Sequence, residues 1–176
     1  MKTINHPPFF LFSVDYGKSG SMRRVGIFTI VFLFFLFILT SSAFATEITV
    51  CSSGCDYVTI QNAIGNATSG DIINVSAGSY TENLIIDQTL VLHGAGSDSV
   101  TLTGQEKVRA NNVSLDGFTV VGTVIIDDSI SPINGGVIFN NIITGNSYGI
   151  RVGYTSGNGV NNISIINNRI TGNTNK

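Results

Sequence analysis

The 176-residue sequence has no tryptophan, three prolines, two cysteines, two methionines and two histidines, and 11% of it is charged. Each shortage excludes something. Two cysteines cannot build the disulfide framework of a small secreted scaffold or a four-thiolate metal site. So few imidazoles and thioethers leave no donor set for copper, which prefers those ligands. Helical periodicity is also missing after residue 70, and this removes helix bundles and helical solenoids. What remains is an apolar, glycine-rich chain of single-domain length.

Much of the apolar excess is in one run, VGIFTIVFLFFLFIL from Val25 to Leu39. Met22-Arg23-Arg24 precedes it and Ala43-Phe44-Ala45 follows it, the order of an export signal cleaved after Ala45. Uncleaved, the run would anchor the chain to a membrane, although it is a little short of spanning length. Residues 1–21 precede a second start at Met22 and read as a leader foreign to the native chain. The expected organisation is therefore a leader (1–21), a signal peptide or signal anchor (22–45) and one folded domain (46–176). That domain stops directly after a strand and reads as C-terminally truncated. The destination is secreted, cell-surface or periplasmic, with membrane contact only through the N-terminal segment.

From Thr46 onward five basic residues face ten acidic ones, a formal net charge of −5. A sparse acidic surface does not attract nucleic acid. Cys51 and Cys55, in CSSGC, are expected to close a local disulfide, because export favours oxidation and two further metal ligands are missing nearby.

A repeat organises the rest. The pattern aliphatic-x-aliphatic-x-x-small-x-aliphatic fits five copies, starting at Ile73, Leu90, Val113, Gly136 and Ile163, at steps of 17, 23, 23 and 27 residues. Shorter alternations follow most copies, at Leu84/Ile86, Val100/Leu102, Val124/Ile126 and Ile150/Val152. Alternation of period two means half-buried strand, and connectors such as ITGNSYG supply turns. Short strands recurring about every 23 residues predict an all-β parallel β-helix solenoid of about five coils, the hand being what the resemblance below implies. A lone coil buries too little to fold, so coils must stack. Ile60, Ala63, Ile64 and Ala67 fall at helical spacing behind Thr59, a candidate N-cap, and predict a short helix capping the first coil. Asn141 and Asn168 take the inward small position of successive copies, which predicts an asparagine ladder between coils above Phe118.

The phrases IQNAI, GDIINV and GSYTEN, within residues 57–96, resemble the N-terminal segment of right-handed parallel β-helix proteins of the pectin-lyase-like superfamily. INNRITGN is similar to the repeat of β-helix surface proteins, including those called NosD-like periplasmic copper-binding proteins. The matching residues are structural, so the resemblance implies fold rather than activity.

The candidate positions for chemistry are the strand positions just after the inward pairs. Asp87, Thr103, Asp127 and Gly153 are expected to stack on one outer face, with Asp87 and Asp127 roughly 10 Å apart over two rungs. With Asp128 and Arg151 they form the candidate ligand site, for a uronate or a weakly held calcium ion. The competing reading is a set of solubilising outer-face residues. No nucleophile elbow is present. His93 is expected to be a turn residue, and Tyr80 to be core rather than a sugar platform beside Tyr148 and Tyr154. Arg169 has no assigned role. Asn66, Asn74, Asn112 and Asn162 head glycosylation sequons. These features predict no cofactor and a non-catalytic exported module for adhesion, envelope structure or carbohydrate binding. The alternatives are a truncated polysaccharide-active enzyme and a metal-handling periplasmic protein.

Overall fold

The computed structural model describes residues 45–154 and 156–175. The leader and the export segment lie outside the described residues, apart from Ala45, as does Lys176.

Strand β1 (Glu47–Val50) leads through a Cys51–Cys55 disulfide into helix α1 (Ile60–Asn66). The first full coil carries β2 (Ile72–Val75), β3 (Gly78–Thr81) and β4 (Leu84–Ile86), and the second β5 (Val91–Gly94) and β6 (Val100–Val108). Then come β7 (Val113–Asp116) and β8 (Thr119–Ile126), followed by β9 (Ile133–Phe139), β10 (Ile142–Thr144) and β11 (Ile150–Val152). β12 (Val160–Ile166) and β13 (Arg169–Ile170) form the last coil. Every pairing is parallel. One sheet runs β1-β2-β5-β7-β9-β12, and a second runs β3-β6-β8-β10-β13 with β4 on β6 and β11 on β8. The molecule is a right-handed parallel β-solenoid of about five coils with a single short helix among the described residues.

The core is a set of vertical stacks. Ile73, Leu92, Leu115 and Ile138 pair coil on coil, each at most 2% exposed. Ile48 lies beneath them and Ile165, 43% exposed, above. The first repeat needs correction: Ile73 faces Leu92, not Leu90, so the first step is 19 residues, not 17. A two-residue slip keeps every side chain on the same face, so alternation alone could not choose between the two registers.

A second correction concerns β6. Leu102 faces Tyr80, and the partner of Ile86 is Val108, not Leu102. One long strand serves both sides of the coil because its backbone nests closely at the corner. A Cβ on Gly104 would lie 1.9 Å from the Glu82 carbonyl oxygen, and one on Gly122 only 1.6 Å from that of Gly104.

The helix stands directly before the first full coil, as expected, and the structure adds β1, which precedes it and pairs with β2. α1 buries Ile60, Ala63 and Ile64, as its spacing requires. Thr59 occupies the N-cap position without a side-chain bond. Glu82, from the next coil, caps instead: its two carboxylate oxygens accept the N–H groups of Ile60 and Gln61, each at 3.0 Å. The Gln61 amide accepts the Ile85 N–H at 2.8 Å and donates to the Ile85 carbonyl at 3.4 Å. It thereby covers the edge of β4 as a neighbouring strand would.

The asparagine doublets divide their labour at the corner between the sheets. Asn140 and Asn167 adopt left-handed backbone, with φ of 56° and 54°, as Gly117 does at 79°. The residue after each turns inward. Asn141 Oδ1 accepts the Phe118 N–H, and Asn168 Oδ1 accepts the Asn141 N–H, both at 3.0 Å. Asn141 Nδ2 donates to the carbonyls of Leu115 and Phe139, and Asn168 Nδ2 to that of Ile138.

Candidate functional site

The outer corner after β4, β6 and β8 is where the sequence placed its acidic pair. Pairing of Ile86, Val108 and Ile126 puts Asp87, Arg109, Asp127 and Gly153 at successive places. Thr103 is not among them, and a guanidinium stands between the two aspartates. This follows from the corrected pairing of β6. Arg109 Nε donates to Asp127 Oδ2 at 2.8 Å, while the Ser129 N–H and hydroxyl donate to Oδ1. Burial pushes the Asp127 carboxyl up, but the Ser129 hydroxyl and Arg109 outweigh it and hold it below the usual carboxylate range.

Asp128, 2% exposed, organises the next connector. Its oxygens accept the N–H groups of Tyr154 and Gly159, both at 2.8 Å. Arg151 is exposed, and its guanidinium lies 4.3 Å from the centre of the Tyr154 ring. Asp87 is exposed at the lower end. The four candidate residues thus lie along one corner without converging on a shared point. Calcium fits poorly, since the oxygens it would need on Asp127 and Asp128 already accept protein hydrogen bonds. Among the described residues no group of three or more His, Cys, Asp or Glu could hold a metal ion.

Sequence reasoning missed a different pair. His93 lies in β5, not in a turn, and faces Asp116 across the ladder. Its Nδ1 is 2.7 Å from Asp116 Oδ2, and the two side chains are 50% and 9% exposed. The signal was available, because each residue directly follows a core leucine, Leu92 or Leu115, in successive repeats. Glu106 was missed as well. It points into the apolar interior between Leu84 and Val124, fully buried, with no partner for either carboxylate oxygen among the described residues. Burial pushes its pKa up to about 8.

Tyr80 is buried and its hydroxyl donates to the Ser76 carbonyl, whereas Tyr148 is exposed. Of the sequon asparagines, Asn66, Asn112 and Asn162 are exposed and Asn74 is half-buried. Arg169 is exposed in β13 at the last coil.

The fold and its surface define a class: a parallel β-solenoid whose coils are tied together by their own polar side chains. The chain is similar to a cell surface glycoprotein of Methanothermus fervidus, 34% identical over 102 residues that cover 54% of this chain and 17% of the relative. The chain therefore spans only a small part of that relative's length. No described family and no solved structure matches it significantly.

Proposed function

We propose that the chain is an exported, non-catalytic β-solenoid module of a cell-surface assembly, serving adhesion, envelope structure or carbohydrate binding. The observation that carries this reading is how the outer corner uses its charge. Asp127 and Asp128 bond an arginine, a serine and backbone amides of neighbouring coils, which is the work of a scaffold. Likeness to part of a cell surface glycoprotein supports the location, and the export segment supplies a route to it. In this setting the exposed Asn66, Asn112 and Asn162 are glycan acceptors.

Antibody labelling of intact cells, with protease shaving, tests the location. Labelling at the surface is expected, and confinement to the cytosolic fraction would overturn the reading. Incubation with pectin-like polymers tests the chemistry: no reducing or unsaturated sugar should be released, and release above a heat-treated control would make the chain an enzyme.

A further inference from the structure

We propose that the outer face of the first sheet carries a binding groove for neutral, hydroxyl-rich glycans, centred on the His93–Asp116 pair. This rests on the surface-module reading and gives it a ligand class and a place.

The column is set by alternation. Thr49, Asn74, His93, Asp116 and Phe139 occupy consecutive rungs, each next to a buried inward residue. Four steps of about 4.8 Å make the column roughly 19 Å long. Two open hollows meet at His93. One, about 500 Å³, lies between His93 and the Gly94–Ser99 segment, with Asp116, Gly117 and Asn140 on its far side. The other, about 310 Å³, extends toward Thr49, Asn74 and Ser76.

The floor of the larger hollow is backbone. A Cβ on Gly94 would lie 2.4 Å from the Gly117 carbonyl oxygen, so the two coils touch there with no side chain between them. Above this floor Asp116, 6% exposed, holds the imidazole through Nδ1. A covered carboxylate is costly unless paired, and this pairing also fixes the ring's direction. The other ring nitrogen bonds no protein group among the described residues, and the side chain is half exposed.

The lining decides the ligand. Neither hollow has a lysine or arginine, and Asp98 and Asp116 are acidic, so uronates and phosphates are disfavoured. A metal ion would lack a third ligand among the described residues. Short hydroxyl and amide side chains, with an oriented imidazole, suit a neutral chain of hydroxyls. Phe139, outward and partly exposed on the next rung, offers an apolar face for a sugar ring.

The test is titration calorimetry of the full-length chain with neutral linear hexasaccharides of glucose, xylose, mannose and N-acetylglucosamine. At least one should bind. Ala95→Arg places a long side chain over the groove from an exposed position, and His93→Gln replaces the imidazole with a neutral amide. His93→Gln should weaken binding about tenfold, the loss of roughly one well-placed hydrogen bond, and Ala95→Arg at least as much by covering the groove. Lys107→Ala, on the outer face of the second sheet, should leave it unchanged. Binding to none of the four, or binding insensitive to both groove variants in folded protein, overturns the proposal. Surface labelling without glycan binding would sink the groove alone and leave the module at the cell surface.

Discussion

Glu106 sits where every other coil places an aliphatic side chain, and its consequence is a stability that depends on pH. Its ordinary pKa of 4.5 applies to the unfolded chain, and its folded value is about 8. Below the lower value both states hold the proton and the core is at its best. As pH rises toward 8 only the unfolded chain releases that proton, so stability falls, by a total on the order of 5 kcal/mol once the upper value is passed. Glu106→Gln should therefore match the parent near pH 4 and exceed it clearly at pH 9, measured as urea midpoints across that range. Parallel curves for the two proteins would show that the carboxyl is solvated in the folded state. Asn141 makes the opposite case for a buried polar group. Replacing it with alanine orphans the Phe118 N–H and two carbonyls, and should cost about 3 kcal/mol by denaturant unfolding. Asn168→Ala should cost less, since water reaches the end coil more easily.

Among the elements, α1 shows best what a sequence carries and what it hides. Its existence and buried face were legible, because Ile60, Ala63 and Ile64 are spaced as one stripe. Its cap was not. The carboxylate that satisfies the first N–H groups belongs to Glu82, more than twenty residues away, and no local pattern points there. Glu82→Ala should lower stability by about 1–2 kcal/mol, the usual cost of a lost cap, with Thr59→Ala nearly silent in the same unfolding assay. Equal effects of the two would mean that Thr59 does cap in solution. The strands follow the same division. Their inward faces were readable, but the Ile73 register and the long reach of β6 depended on which of two equivalent alternations faced which.

Among the described residues the solenoid is built as a one-dimensional stack, each coil touching the coils above and below. The N-terminal end has α1, Glu82 and Gln61 over it. The last coil has Ile165 and Ile170 at 43% and 47% exposed, although both occupy inward repeat positions. In a stack of this kind local opening begins where neighbours are fewest. In the 176-residue chain hydrogen exchange should therefore be fastest in β12 and β13, which are sheet edges among the described residues, and slowest in β5 to β8, with α1 intermediate. Uniform exchange from end to end would indicate a single cooperative unit. The candidate surface belongs to this scale too, since His93 and Asp116 come from successive coils and form a unit only when the coils stack.

The solenoid was legible in one dimension, because a two-residue alternation recurring about every 23 residues buries its aliphatic side chains by stacking one repeat on the next. The sequence also marked the inward asparagines, since an amide at that corner can bond the backbone of the next coil where Phe118 only fills the space. The register, and with it which polar residues became neighbours, was set only when the coils stacked. That choice placed Arg109 between two aspartates and His93 beside Asp116. Alternation fixes the face a residue points to, whereas its vertical neighbour depends on the length of chain each coil takes to close.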